Sequence, residues 1–169
     1  VCAGGRPLAL TDGLNYGSPE KPEIFWQMQE SVRAMAEACE FLSLPVTGGN
    51  VSLYNESRGE ALYPTPIIGM VGLIENLNHI TPSNFQSRGD QIWLLGETFA
   101  ELGGSCYQEI QSGRIFGNAP KLALDQEKRL QEAVLVAIES GLVSSAHDLS
   151  LGGLAVALMK ASSEFFTAS

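Results

Sequence analysis

The rest of the chain is arranged around Thr47-Gly48-Gly49-Asn50-Val51-Ser52-Leu53-Tyr54-Asn55-Glu56. Two glycines lead into a run of strand character, with Asn50 and Ser52 two residues apart. Side chains alternate along an extended chain, so both polar groups share one side, with Val51 and Leu53 on the other. Paired glycines let the backbone approach a bound group closely, as a phosphate or nucleotide requires. A glycine-rich turn entering an ordinary edge strand fits the same letters, and the rest of the chain has to arbitrate.

On either side of this stretch the pattern alternates between helix and strand. Pro7–Leu10 is a short apolar run closing on Thr11-Asp12, followed by the turn signals of Gly13 to Pro22. Asp12 at a strand end can hold a cation or a ligand hydroxyl, and can equally accept backbone N–H bonds in the turn. Pro22 to Ser43 reads as a long helix with an apolar stripe of Phe25, Met28, Val32, Met35, Cys39 and Leu42. Pro45 ends it. Tyr63–Glu75 is a further extended run, apolar enough between Pro66 and Ile74 to predict burial on both faces. Gln91–Gly96 predicts a fourth strand and Ser105–Gln111 a short helix. Asp125 is expected to cap a helix carrying Leu130, Ala133, Val134, Ala137 and Ile138 and stopped by Gly141. A short strand ending at His147-Asp148 precedes a last helix with Leu151, Leu154, Ala155 and Leu158 on its apolar face. Free N–H groups at that helix start could bind an anion, while Asp148 or Ser150 could simply cap it.

The bulk properties narrow the function. The chain of 169 residues is 44% hydrophobic and 17% charged, which suits a globular domain with a core, with part of a second, and is too apolar for disorder. With 10 Lys plus Arg against 19 Asp plus Glu the net charge is −9, unsuited to general nucleic-acid binding. Small phosphorylated ligands stay open, because glycine loops, helix N-termini and metal ions hold them without many lysines. No apolar run is long enough to span a membrane. Cys2, Cys39 and Cys106 are widely spaced, without metal-ligand spacing, and read as reduced thiols of a cytoplasmic protein. The opening Val-Cys-Ala-Gly-Gly and closing Phe-Phe-Thr-Ala-Ser look like a piece of a longer polypeptide. Walker and dinucleotide-binding loops are absent. What remains is Asp12, Gly48-Gly49-Asn50-x-Ser52 and His147-Asp148, a carboxylate, amide and hydroxyl set suited to magnesium and to ATP-dependent phosphoryl transfer.

Four co-linear runs carry a specific resemblance: TDGLNYGSPEKPEIFWQ (Thr11–Gln27), TGGNVSLYNE (Thr47–Glu56), YPTPIIGMVGLIE (Tyr63–Glu75) and SAHDLSLGGLAVAL (Ser145–Leu158). Together they resemble the second half of the synthetase subunit of the phosphoribosylformylglycinamidine synthase family, within the aminoimidazole-ribonucleotide-synthetase-like superfamily. The resemblance implies an α+β fold. A mixed or antiparallel sheet would supply four strands to half of a barrel, with flanking helices (1–141), followed by the beginning of a truncated C-terminal α/β domain (142–169). It implies an ATP-dependent C–N ligase of purine biosynthesis. That enzyme turns formylglycinamide ribonucleotide, ATP and glutamine-derived ammonia into the amidine, ADP and phosphate. Residue by residue, Asp12 and Gly49 (with Gly48 beside it) would contact ATP, Asn50 would coordinate Mg2+, and Ser52 would touch the ribonucleotide. Asp148 resembles a metal-binding carboxylate of the other half. The implied partners are the first half of the same enzyme, a glutaminase subunit and a small accessory subunit. The family's catalytic histidine lies in the first half, so this chain is expected to hold half an active site, to be inactive alone, and to self-associate through uncovered strands. A non-catalytic, nucleotide-holding or interface-building half, or another ATP-using member of the superfamily, are the alternatives.

Overall fold

The computed structural model describes residues 1–166, with side chains through 162; the closing Thr167-Ala168-Ser169 lies outside the described residues. Strand β1 (Arg6–Asn15) leads through helix α1 (Pro22–Leu42) to β2 (Val46–Ser52). A small hairpin follows, β3 (Glu56–Ser57) with β4 (Glu60–Ala61), and then β5 (Ile67–Leu73). Helices α2 (Cys106–Ser112), α3 (Leu124–Glu139) and α4 (Gly153–Phe166) complete the order.

The main sheet is mixed, in the order β2-β1-β5. β1 and β2 are parallel, and such a pair needs a long crossover, which α1 provides. β5 runs antiparallel along the other edge of β1. Among the described residues the fold is therefore α+β with a small mixed sheet and four α-helices, as the sequence predicts. The sheet has three strands, not four, and no closed barrel forms among the described residues.

Local chemistry accounts for α1. Pro22 occupies its first turn, where a missing N–H has no helical partner, and the chain leaves through Ser43 in the left-handed region at φ 58°. The Leu44 amide turns back onto the Cys39 carbonyl, and Pro45 prevents continuation. Of the predicted stripe Met28, Met35, Cys39 and Leu42 are half-buried, while Phe25 and Val32 stay exposed, and the fully buried residue of the helix is Ile24. α3 is not capped by Asp125, which lies inside its first turn after Ala123. Its deepest residues are Leu135 and Ile138, and Leu135 was absent from the predicted face. α1 and α3 meet where Lys128 reaches the Phe41 carbonyl and lies over its ring, 5.5 Å from the centroid.

Several expectations fail for one physical reason, a shortage of covering layers. β5 is exposed along its whole length, on both faces, where burial on both was predicted; Val71 is 66% exposed. Gln91–Gly96 and Val143–Ala146 form no strands, because neither finds a ladder partner among the described residues. α4 buries the small residues Ala157 and Ala161, while Leu151, Leu154 and Leu158 face outward. The core is correspondingly small, with Leu10 and Tyr16 of the β1 segment, Ile24, Leu135, Ile138 and the two alanines. No helix among the described residues is long and apolar enough to cross a membrane.

Candidate functional site

The parallel pairing of β1 and β2 assembles the residues singled out in the sequence. Thr11 pairs with Gly48, Asp12 with Gly49, Gly13 with Asn50, and Asn15 with Ser52, on successive rungs. A bulge between Leu10 and Thr11 sets this register. Hydroxyls reinforce it from both strands: Thr11 donates to the Gly48 carbonyl at 2.8 Å and Thr47 to the Leu10 carbonyl at 3.2 Å.

The doubled glycine divides into two roles. A Cβ on Gly49 would overlap both the side-chain carboxylate and the backbone carbonyl of Asp12, so only glycine leaves Asp12 its place. A Cβ on Gly48 would meet open space, and that residue contributes its carbonyl instead. Asn50 lies beside Gly13, whose Cβ would touch the Asn50 carboxamide oxygen at 3.4 Å.

Alternation along the ladder then sorts the side chains. Asn50 and Ser52 share one face with Asn15, as the two-residue spacing predicts. Asp12 leaves from the opposite face, on the adjacent rung, so Asp12 and Asn50 are neighbours in the ladder on its two surfaces. Asp12 is half-buried and Asn50 exposed, and neither side chain has a hydrogen-bond partner among the described residues.

The base of the site is buried over three successive residues, Tyr16, Gly17 and Ser18. Tyr16 is completely buried, and its hydroxyl lies 2.6 Å from Ser31 on α1. The backbone of Tyr16-Gly17 exchanges hydrogen bonds with the turn after β2: Tyr16 N–H to Ser52 O, Tyr54 N–H to Gly17 O, and Asn55 N–H to Tyr16 O. Asn15 donates to the Thr65 carbonyl at 3.1 Å and to Gly13 at 3.2 Å, tying in the segment before β5. A Cβ on Gly17 would approach Ala61 Cβ to 2.7 Å, which fixes the β3–β4 hairpin against the loop. Lys21 and Glu56, 2.8 Å apart, close the outer side, and the Glu56 carboxylate raises the Lys21 ammonium above its ordinary value. Sequence reading passed over Asn15, Tyr16 and Asn55; an asparagine closing a turn three residues after Ser52 is the signal that could have marked Asn55.

Asp148 lies elsewhere. Ala146 bonds the Pro82 carbonyl and Thr81 bonds the Ala3 carbonyl, so the segment leading to His147-Asp148 sits near the residues preceding β1, away from the Asp12–Asn15 end. His147 Nδ1 contacts the Asp148 carbonyl at 2.7 Å, and the Asp148 charge bears on Cys2. Among the described residues no group of three or more His, Cys, Asp or Glu side chains could hold a metal ion.

Residues 1–74 match the N-terminal domain of AIR synthase related proteins and residues 87–164 match the C-terminal domain, and the chain belongs to that family.

Among solved structures the chain is similar to PurL of Thermotoga maritima complexed with ATP, at 24% identity, TM-score 0.57, covering 97% of this chain and 23% of that one. Phosphoribosylformylglycinamidine synthase II of Thermotoga maritima matches at 24% identity, TM-score 0.55, with 97% and 22% covered. The same organism's PurL complexed with FGAR matches at 22% identity, TM-score 0.56, with 98% and 22% covered. These likenesses establish the shared fold. The chain spans less than a quarter of the length of each of these structures.

Proposed function

We propose that this chain supplies half of the nucleotide and substrate site of a phosphoribosylformylglycinamidine synthase, the ATP-dependent ligase that converts formylglycinamide ribonucleotide to its amidine. One observation carries the reading: residues far apart in sequence, from two of the four recognised motifs, meet within four consecutive rungs as Asp12–Gly49, Gly13–Asn50 and Asn15–Ser52. Membership of the AIR synthase related family supports it, as do the relatives described with ATP and with FGAR.

In this reading Asp12 accepts hydrogen bonds from ATP, and Gly49 keeps the space its carboxylate needs. Asn50 offers one carbonyl oxygen to a magnesium ion whose remaining ligands come from phosphates and water, the usual pattern for that ion. Magnesium would neutralise phosphate charge during transfer of the terminal phosphoryl group to the formamide oxygen. Ser52, on the Asn50 face, contacts the ribonucleotide. Asp148 stands as a weaker metal-site candidate, since the residues around it are those preceding β1. The uncovered faces of β5 support a partner domain, for which the first half of the same enzyme is the natural occupant, with glutaminase and accessory subunits in the wider assembly. The setting is cytoplasmic purine biosynthesis.

Calorimetric titration of the chain with ATP and magnesium tests this. Saturable binding that Asn50→Ala weakens tenfold or more is expected, by an estimate of roughly 1.4 kcal/mol for the lost charge-assisted contact. Binding unchanged in Asn50→Ala rejects the assignment, and absence of binding in the parent chain favours an interface-building half.

A further inference from the structure

We infer that Asn55 is a positioning residue that makes Ser52 a hydrogen-bond acceptor toward its ligand. This deepens the reading of Ser52 as a ribonucleotide contact and rests on it.

The Asn55 carboxamide is oriented by its surroundings. Its nitrogen lies 2.9 Å from the Ser52 carbonyl and 3.1 Å from the Tyr16 carbonyl. Both are pure acceptors, so the NH2 group must face them, and its two hydrogens are taken. The Asn55 oxygen is then left facing Ser52 Oγ at 3.3 Å, and Ser52 is the hydroxyl that can donate to it. The nitrogen is also 3.2 Å from Oγ, yet its hydrogens are already directed at shorter, better acceptors. The Ser52 proton is thus committed to Asn55, and its lone pairs remain for a ligand.

The backbone shows how the carboxamide is brought there. Tyr54 sits in the left-handed region at φ 60°, which is uncommon for a non-glycine residue and folds Asn55 back onto Ser52. Three backbone hydrogen bonds to Tyr16 and Gly17 hold that turn, and Tyr54 Oη reaches Glu20 at 3.3 Å. Exposed serines rotate freely; this one is half-buried and bracketed by one amide.

An acceptor selects its partner. Ser52 takes a hydrogen bond from a ligand O–H or N–H, the groups a ribose or an amide presents, and not from a phosphate oxygen, which near neutral pH is itself an acceptor. The hydroxyl therefore reads the sugar or amide portion of the ribonucleotide.

The test is calorimetric titration with formylglycinamide ribonucleotide, and separately with sulfate, an oxyanion without a proton near neutral pH, of the chain, Ser52→Ala, Asn55→Ala and the Ser52→Ala/Asn55→Ala double variant. Ser52→Ala and Asn55→Ala should each weaken ribonucleotide binding roughly five- to tenfold, the size of one neutral hydrogen bond. The double variant should be no weaker than Ser52→Ala. Sulfate affinity should not depend on Ser52, and that contrast with the ribonucleotide in Ser52→Ala decides the matter where Asn55→Ala fails to fold. Equal losses from Asn55→Ala with and without Ser52, or a Ser52-dependent sulfate affinity, would each overturn the inference while leaving Ser52 as a contact. No ribonucleotide binding by the parent chain would overturn both.

Discussion

The carboxylate of Asp12 occupies the space into which any side chain on Gly49 would project. The two residues face each other across the parallel β1–β2 ladder, and the glycine is required by its neighbour, not by an unusual backbone angle. Gly49→Ala should therefore destabilise the chain by about 1–3 kcal/mol, the usual cost of forcing extra volume into a packed contact. Gly48→Ala, next in sequence and facing open space, should stay within about 0.5 kcal/mol of the parent. Urea unfolding followed by circular dichroism measures both, and similar losses at the two positions would contradict the assignment of space.

Tyr16 joins the loop under the site to α1. Its ring is fully buried, and its hydroxyl meets Ser31 at 2.6 Å. Tyr16→Phe keeps the ring and removes that bond, so a loss of about 0.5–1.5 kcal/mol is expected. Ser31 retains its bonds to the Gln27 and Met28 carbonyls, which limits the damage. A neutral Tyr16→Phe in thermal unfolding would show that the hydroxyl pair adds nothing.

The cysteines should react in a defined order. Burial pushes the Cys2 thiol above its ordinary value of 9.0, and the nearby Asp148 charge adds to this, whereas Cys106 is exposed. The thiolate is the reacting form, so iodoacetamide at pH 8 should label Cys106 first and Cys2 slowly, with the Cys2 rate still rising above pH 9. A raised folded value also has a stability consequence. The contribution is complete below the ordinary value and is lost as the pH climbs through the folded one. Mass mapping of alkylated peptides against time decides it, and Cys2 labelling ahead of Cys106 would contradict the burial.

The open sheet predicts association. Ile67, Met70 and Val71 of β5 are at least half exposed, and β5 is an edge strand. Apolar strand edges of this kind recruit a partner. Sedimentation velocity at micromolar concentration should show species larger than a monomer, and Val71→Lys should shift the distribution back toward monomer. A clean monomer in both samples would mean that the surface is tolerated uncovered.

What the sequence disclosed follows from where its constraints are local. α1 was legible because Pro22, the three- and four-residue apolar spacing and Pro45 are all local signals. The β1–β2 site was legible in composition, through Asp12 and Gly48–Ser52, but not in facing. The Leu10/Thr11 bulge and the pairing register decide which surface Asp12 uses, and neither is written in one segment. The clasp of Tyr16 by Asn55 depends on a left-handed Tyr54 and on contacts between distant segments, so it surfaced only in three dimensions. The misjudged elements share another cause. Pro66–Ile74 and Gln91–Gly96 carry the apolar character of buried strands, but covering or pairing surfaces for them are absent among the described residues.

Backbone amide chemical shifts recorded during titration with ATP and magnesium decide whether the β1–β2 rungs grip a nucleotide and its cation. The largest changes are expected at Thr11–Gly13 and Gly48–Ser52, with little movement in α2 or in the segment around Asp148. Changes concentrated away from those rungs, or an unaltered spectrum at millimolar ATP, would contradict it.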